Sequence, residues 1–202
     1  MANTPKSTRR RFLIHSAIAA SGLRLGLDPA QLFAQGGLAP TPSCRDGDEP
    51  TPRQTEGPFY TPQSPRRADL REPQMTGRAC ELSGLVLTRG CRPVEGALVD
   101  LWHADDRGEY DNKGFRLRGH VFTDAEGRYR FRTIMPGSYP GRTRHFHVKV
   151  QAPRRPILTT QFYFPGDPGN RRDGLFRPEL LLRVSEAGDG IAARYDVVLD
   201  LA

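Results

Sequence analysis

The sequence predicts an all-β fold: a β-sandwich of mixed and antiparallel sheets, preceded by an extended N-terminal arm. Short runs rich in β-branched and aromatic residues recur along the body of the chain, and Gly, Pro and Asp separate them. Helical periodicity is missing from the body, where only residues 178–188 favour a short helical turn. Of the 202 residues, about 168 follow position 34, which is enough for one domain with a real hydrophobic core.

Seven strands are predicted. In chain order they are Glu81–Thr88, Ala97–Ala104, Phe115–Thr123, Gly127–Thr133, Arg144–Gln151, Thr159–Tyr163 and Tyr195–Leu201. Asp124–Gly127 has the composition of a hairpin loop between the third and fourth of these strands. Pro136-Gly137 and Pro140-Gly141 mark further turns.

The N-terminal segment is predicted to lie outside the fold. Residues 1–34 contain Arg9, Arg10 and Arg11 followed by a weakly apolar run, which is typical of a twin-arginine export signal. That run is too short and too interrupted to span a membrane, so we expect no stable membrane insertion once the signal is removed. The alternative is a basic tail. We therefore expect an exported protein, periplasmic or extracellular, with an arm over residues 35–67 and a sandwich domain over 68–202.

The net charge does not indicate a nucleic-acid partner. The whole chain has 30 Lys and Arg against 23 Asp and Glu, a net charge of +7. Residues 1–34 hold five of the basic and one of the acidic residues, which leaves 25 against 22, or +3, for the remainder. The basic balance is therefore partly a property of the predicted signal.

Three cysteines in an exported chain favour a disulfide. Cys80 and Cys91 flank the predicted strand Glu81–Thr88, which would separate their Cα atoms by roughly 30 Å, beyond the reach of a disulfide. Cys44 is therefore the better partner for one of them, and Cys91 is favoured. Three free thiols are the alternative.

A His-x-His pair lies on the fifth predicted strand. Side chains of a strand alternate between faces, so Phe146, Val148 and Val150 form one face, suited to a core. His145 and His147 then project together from the other face. A strand can offer two imidazoles to one metal in this way, although two half-exposed histidines would fit the same pattern.

Further metal ligands would have to come from neighbouring loops. Asp105, Asp106 and Asp111 could supply carboxylates, which would suit ferrous iron or zinc. Tyr110 and Tyr139 could supply phenolates, which favour a hard, oxidised cation such as ferric iron. The residue types alone leave both ligand sets open.

Six short motifs are more specific. In chain order they are Thr55-Glu56-Gly57-Pro58-Phe59-Tyr60, Val99-Asp100-Leu101-Trp102-His103-Ala104-Asp105, Gly108-Glu109-Tyr110, Pro136-Gly137-Ser138-Tyr139-Pro140, Arg142-Thr143-Arg144-His145-Phe146-His147 and Thr160-Gln161-Phe162-Tyr163-Phe164. With these motifs the chain resembles the intradiol ring-cleavage dioxygenases, the family of protocatechuate 3,4-dioxygenase and catechol 1,2-dioxygenase, and most closely its compact exported members. The resemblance covers roughly residues 44–201.

The resemblance implies a non-haem Fe(III) site. Its four expected ligands are Tyr110, Tyr139, His145 and His147. The family has no ligand at the positions of His103 and His120; His103 is expected to face away from the site and His120 to lie on a surface hairpin.

The resemblance also implies residues around the substrate. Arg142 matches an arginine that lies against the bound ring, and Gln161 matches a glutamine of the same pocket. Tyr60 and Trp102 match pocket-wall aromatics, although Tyr60 would equally suit an anchor for the arm and Trp102 a core residue. The implied catalytic residues are Arg142, Tyr139 and Gln161.

The implied reaction is cleavage of a catechol-type ring between its two hydroxylated carbons by O2, giving a muconate-type diacid without an organic cofactor. Only five residues separate Tyr139 from His145, so a short loop and an open pocket for substituted catechols are expected. The catechol derivative and the oligomeric state, a homo-oligomer included, stay open. Two alternatives remain: a prealbumin-like β-sandwich binding module without catalysis, and a zinc or copper hydrolase that uses the histidine pair with Asp105 or Asp111.

Overall fold

The computed structural model describes residues 49–202. The predicted export signal over residues 1–34, the first part of the predicted arm and Cys44 lie outside the described residues. Within them, no helix is both long and apolar enough to cross a bilayer.

The described chain forms two β-sheets, as predicted. The strands are β1 (Ala79–Thr88), β2 (Leu98–Trp102), β3 (Arg118–Phe122), β4 (Arg128–Ile134), β5 (His145–Gln151), β6 (Leu158–Tyr163), β7 (Arg183–Ala187), β8 (Gly190–Arg194) and β9 (Val197–Leu199), with one 3₁₀ turn at Pro178–Leu180. The four-stranded sheet has the order β3-β2-β5-β6 and is antiparallel throughout. The five-stranded sheet has the order β4-β1-β8-β7, with β9 also pairing with β1. This second sheet is mixed, because β8 and β9 run parallel to β1.

The core lies between the sheets and follows the alternation of the strands. On β5, Phe146, Val148 and Val150 are all fully buried and belong to one continuous core cluster. On β4, Phe131 is fully buried in the same cluster, while its neighbours Arg130 and Arg132 are exposed. One face of each sheet is therefore apolar, which is the pattern expected of a sandwich.

The sequence missed one hairpin. Residues 178–188, expected to favour a helical turn, contain only the 3₁₀ turn and then strand β7. β7 pairs with β8 through a two-residue turn at Gly188-Asp189, and β8 was not predicted. β7 is an edge strand with mostly exposed side chains, so it lacks the apolar alternation by which a strand is recognised. Of the predicted strand Tyr195–Leu201, only Val197–Leu199 forms a strand, which is β9.

The arm covers both edges of the four-stranded sheet. At the β6 edge, the Gln54 amide donates to the Thr159 carbonyl at 2.8 Å. At the β3 edge, the His120 amide donates to the Pro65 carbonyl at 3.0 Å and the Arg67 amide donates to the His120 carbonyl at 3.1 Å. Between these points the arm crosses the outer face of the sheet. It thereby satisfies backbone groups that an open edge would leave unpaired.

The arm then reaches the other sheet. The Leu70 amide donates to the Arg132 carbonyl and the Arg132 amide donates to the Ala68 carbonyl, both at 2.8 Å. Leu70 itself is fully buried in the core cluster. The predicted boundary near residue 67 therefore falls where the chain passes from one sheet to the other.

Cys80 and Cys91 do not form a disulfide with each other, as the distance between them predicts. Cys80 is free and buried on β1, and Cys91, beyond the end of β1, is held in a disulfide. Three free thiols are thus excluded. The pairing of Cys91 with Cys44 stays a prediction, since Cys44 is outside the described residues.

His103 faces the core, as predicted, and links the two sheets. Its Nδ1–H donates to the Ala104 carbonyl and its Nε2 accepts from the Thr133 hydroxyl of β4, both at 2.7 Å. Its ring meets Phe146 edge-on, with centroids 4.9 Å apart. Burial lowers the pKa of His103 to about 4, so the imidazole is neutral at pH 7.

We expect His103 to make the fold acid-sensitive. The unfolded chain takes up a proton on this imidazole near pH 6.5, whereas the folded chain does so near pH 4. The stabilising contribution is therefore complete above about pH 6.5 and is lost as the pH falls towards 4, a change of about 3 kcal/mol. Urea unfolding of metal-free protein at several pH values should show a shallower acid loss in His103→Gln than in the wild type. Each protein's stability at pH 7.5 is its own reference, and equal acid losses in the two would contradict the argument.

Candidate metal centre

Two imidazole nitrogens converge on the outer face of β5. His145 and His147 are almost fully buried, at 2% and 1% exposure, so they are not the half-exposed surface pair of the alternative. Their Nε2 atoms lie 3.1 Å apart. The arm covers this face, because a Cβ added to Gly57 would lie 3.2 Å from Cε1 of His147.

The His145 imidazole is in the metal-binding form. Nδ1 of His145 lies 2.6 Å from the Thr143 carbonyl, which can only accept, so Nδ1 carries the hydrogen and Nε2 keeps its lone pair. Burial lowers the pKa of His145 to about 4 and that of His147 well below its usual value. Neither ring therefore has to lose a proton before it binds a cation at neutral pH.

A tight turn brings Tyr139 close to Arg142. The Tyr139 amide donates to the Arg142 carbonyl at 3.3 Å, and the Arg142 amide donates to the Tyr139 carbonyl at 2.9 Å. Pro140 and Gly141 occupy the two central positions, and Gly141 has φ +80°, which fits a type II turn. The turn predicted from Pro140-Gly141 thus places both side chains at one end of β5.

Tyr110 ends a loop that Asp105 organises. One carboxylate oxygen of Asp105 accepts from the amides of Arg107 and Glu109, each at 3.0 Å. The Asp105 carbonyl accepts from Gly137 at 2.7 Å, so this loop is bonded to the segment that leads to Tyr139.

Glycines permit the two tyrosine loops to touch. A Cβ at Gly108, which has φ +88°, would lie 2.5 Å from the Ser138 carbonyl oxygen. A Cβ at Gly137 would lie 2.5 Å from the Asp106 carbonyl oxygen and 2.6 Å from the Gly108 nitrogen. Side chains at these positions would therefore push the loops apart.

The four expected ligands form a closed ring of side chains. Centroid separations are 4.7 Å for His145–His147, 6.1 Å for His147–Tyr110, 5.8 Å for Tyr110–Tyr139 and 5.7 Å for Tyr139–His145. Residues far apart in sequence are thus assembled around one point. The structure brings together the whole ligand set that the resemblance implied.

The Tyr110 hydroxyl is buried and has no hydrogen-bond partner among the described residues. Burial, and next the nearby Tyr139, raise the pKa of Tyr110 well above its usual value. A buried phenol normally finds a partner, so an orphaned one beside the buried histidine pair indicates a place for a cation. A bound cation would reverse the effect of burial by stabilising the phenolate.

The carboxylates do not join this group. Asp105 is engaged by its own loop and by Arg116, whose Nη2 donates to Oδ2 at 3.1 Å. Asp111 accepts from the amides of Lys113, Gly114 and Arg116. In residues 49–202 no cluster of three or more His, Cys, Asp or Glu side chains could hold a metal. The geometry therefore favours phenols over carboxylates as the further ligands.

Arg142 is held rigidly at the edge of the ring of ligands. Its Nε donates to Oδ2 of Asp173 at 2.9 Å and its Nη2 donates to Oε1 of Gln161. The Gln161 amide in turn donates to the Thr55 carbonyl of the arm at 2.9 Å. Only 14% of the Arg142 side chain is exposed. A cavity of about 390 Å³ lies beside Arg142 and Tyr139.

Tyr60 and Trp102 support the site from the side of the arm. The Trp102 ring is parallel to that of His147, with centroids 5.0 Å apart, and is 1% exposed. Tyr60 packs on Trp102 at 4.7 Å, donates to Asp100 at 3.2 Å and lies 3.5 Å beneath the Lys149 ammonium. These contacts place Tyr60 and Trp102 on the outer face of the four-stranded sheet beside His147, and their roles as pocket-wall aromatics stay a prediction.

Sequence reasoning missed two contributors. Phe59 stacks on Tyr110 with ring centroids 4.5 Å apart, and Asp173 orients Arg142. Phe59 lies within a quoted motif, but only the folded arm shows that it contacts Tyr110. Asp173 lies in a polar loop with no local pattern to distinguish it. His120, expected on a surface hairpin, is partly buried on β3 and lies 3.2 Å from the Ser64 hydroxyl.

Comparisons with known proteins identify the family of the chain. A family model described as Dioxygenase matches residues 55–201. The protocatechuate 3,4-dioxygenase beta chain of Burkholderia cepacia is 36% identical over 61% of this chain and 65% of the relative, and catechol 1,2-dioxygenase 2 of Acinetobacter lwoffii is 34% identical over 58% and 52%. The chain thus spans about half to two thirds of the length of these curated relatives.

A solved structure is more similar. The dioxygenase domain of a dioxygenase carbohydrate-binding protein fusion from the cellulolytic bacterium Streptomyces sp. SirexAA-E is 53% identical, with a TM-score of 0.75. The match covers 76% of this chain and all of that domain. The likeness therefore includes the two-sheet fold as well as the motifs.

Replacing Gly137 by Ala should separate the tyrosine loops. The added Cβ meets backbone atoms at 2.5 and 2.6 Å, so we expect a loss of roughly 1–3 kcal/mol in stability and a clear fall in iron bound per chain. The matched control is Gly174→Ala, whose Cβ would meet nothing within 4 Å. Metal analysis after reconstitution and thermal unfolding measure both effects. Full iron content in Gly137→Ala would show that close loop contact is unnecessary.

Proposed function

The chain belongs to the intradiol ring-cleavage dioxygenase family, and we propose that it uses non-haem Fe(III) and O2 to cleave a catechol-type ring between its two hydroxylated carbons, giving a muconate-type diacid. The observation that carries the proposal is the convergence of two phenols and two neutral imidazoles at one buried point. A binding module without catalysis would need neither the nitrogen pair 3.1 Å apart nor the unpartnered phenol.

The donor set fits a ferric ion. The two Nε2 atoms, 3.1 Å apart, are close enough for both histidines to bind one ion. Phenolate oxygen favours a hard cation, so Tyr110 and Tyr139 distinguish the proposed site from a zinc or copper hydrolase. When bound, the ferric ion would supply the Lewis acidity that favours the catecholate form and the redox partner that opens its ring to O2.

The two tyrosines are suited to different tasks. Tyr110 is covered by Phe59 and its hydroxyl is buried, so we assign it to permanent ligation. Tyr139 lies on a turn and lines the cavity. We therefore assign to its phenolate oxygen the acceptance of a proton from the incoming catechol hydroxyl.

Arg142 would stabilise negative charge on the substrate. Its guanidinium is cationic at any working pH, and Asp173 and Gln161 fix its direction. A preorganised cation in a mostly buried site acts strongly on charge that develops next to it. Gln161 also ties Arg142 to the arm, so it acts on the substrate at least partly through the arginine.

The cavity supports a catechol with ring substituents. Its volume of about 390 Å³ leaves room for substituents on a ring bound next to Tyr139 and Arg142, which line it. Asp167 lines the same cavity, but its Oδ2 forms an ion pair with Nη1 of Arg144 at 3.2 Å. We also propose export through the twin-arginine signal of residues 1–34, which rests on the sequence alone.

The proposed ligands predict the visible absorption spectrum of the iron-loaded protein. Protein reconstituted with iron should show a broad tyrosinate-to-iron band that moves to longer wavelength when catechol or protocatechuate is added without O2. His147→Ala should lose most of its iron, whereas Tyr139→Phe should keep iron and bind substrate more slowly. A colourless protein without stoichiometric iron, or a fully active His147→Ala, would overturn the proposal.

Replacing Arg142 should affect turnover rather than iron content. Arg142→Ala should lower kcat about 10²-fold or more, the usual cost of losing a preorganised charge, while iron content stays close to that of the wild type. Arg128→Ala, on an exposed hairpin with Glu126 as its partner, is the control. Steady-state oxygen uptake with parallel metal analysis separates the two quantities. Turnover unchanged in Arg142→Ala would remove this residue from the reaction.

A further inference from the structure

Arg118 is a buried cation outside the ring of proposed ligands. It lies on β3 and is only 1% exposed. Its Nε and Nη2 both donate to the Asp111 carbonyl, at 3.1 and 2.7 Å, and its Nη1 donates to the Phe59 carbonyl at 2.6 Å. All of its hydrogen bonds among the described residues go to backbone oxygen.

No carboxylate forms an ion pair with Arg118 within residues 49–202. The side chain of the adjacent Asp111 caps its own turn through the amides of Lys113, Gly114 and Arg116. The carboxylates of Asp111 and Asp100 act on this guanidinium electrostatically without contacting it. A buried guanidinium without a direct ion pair is costly, so the position suits a further negative charge that arises only when the site is loaded.

The two carbonyls that Arg118 binds are both coupled to Tyr110. Asp111 is the next residue in the chain, so its carbonyl fixes the backbone on which the phenol is carried. Phe59 stacks on the Tyr110 ring, with centroids 4.5 Å apart and an angle of 19° between planes. One guanidinium therefore fixes the tyrosine from its own loop and from the arm that covers it.

We propose that Arg118 is a positioning residue for Tyr110: it holds the phenol between loop and arm, and its buried positive charge balances the phenolate formed when iron binds. This inference rests on the proposed function, since it requires Tyr110 to be an iron ligand. It assigns to Arg118 no contact with the substrate.

The positive charge of Arg118 and the geometry of its hydrogen bonds can be tested separately. Lysine keeps the positive charge but loses the planar fork that bonds two carbonyls at once. Glutamine keeps some hydrogen bonding but removes the charge. A purely structural role for Arg118 would affect stability in both variants and leave the electronic properties of any bound iron unchanged.

The experiment compares Arg118→Lys and Arg118→Gln with the wild type and with Arg128→Gln as a matched surface control. Iron per chain and the tyrosinate-to-iron band are measured on reconstituted protein. Amide hydrogen exchange at residues 59–60 and 109–112 is measured on metal-free protein, so this result does not depend on iron.

In Arg118→Gln the band of the iron that remains should move to longer wavelength, because a phenolate without its neighbouring cation gives up electron density more easily. Arg118→Lys should keep the band near its wild-type position. In both, the two segments should exchange about tenfold faster, since charge-assisted bonds to their carbonyls are weakened.

An unmoved band in Arg118→Gln at normal iron content would overturn the charge balance, and unchanged exchange in Arg118→Lys would overturn the positioning. If Arg118→Gln does not fold, amide exchange in Arg118→Lys still tests the positioning role. A shifted band in Arg118→Lys at full iron content would also refute the charge argument. If the wild-type protein shows no tyrosinate-to-iron band, the proposed function is wrong. Faster amide exchange in the variants would then show only that Arg118 stabilises the loop.

Discussion

The register of β5 between β2 and β6 is the constraint on which the rest of the molecule depends. This strand places Phe146 and Val148 in the core and, by the same alternation, His145 and His147 on the outer face. A slip of one residue would put imidazoles between the sheets and a phenyl ring in the site. The apolar demand of the core therefore fixes the direction of both nitrogens, and selection for packing and selection for the site act on one strand.

An outer sheet face that carries function has to be protected from water, and the arm provides that cover. It pairs with both edges of the four-stranded sheet, through Gln54 and Pro65, and crosses the histidine pair between them. Gly57, Phe59 and Thr55 each contact a different part of the site. Burial then keeps both imidazoles neutral and leaves the Tyr110 hydroxyl without a hydrogen-bond partner among the described residues. The segment that resembles a linker in composition is thus part of the site.

Prediction from sequence succeeded where a pattern is local. The alternation of β5 and the Pro140-Gly141 turn are local patterns, whereas Tyr110 and Tyr139 were singled out only through the resemblance that the ordered motifs carry. The β7–β8 hairpin was missed because an exposed edge strand carries little apolar alternation. Asp173 and Arg118 were missed because their roles come from contacts with Arg142 and Phe59, far away in the chain. A polar residue in a loop or strand shows no local sign of such a partner.

The assembly of the site from separate segments couples metal binding to folding. Only His145 and His147 are neighbours in sequence; Tyr110 and Tyr139 arrive on loops that touch through glycine backbones. In an unfolded chain these donors are dispersed, so a cation that needs all of them binds the folded state alone and stabilises it. The same coupling explains why so much of the surrounding structure, including the arm and a buried arginine, supports Tyr110, whose hydroxyl has no hydrogen-bond partner among the described residues. Rigid support before loading reduces the ordering that the metal itself must impose.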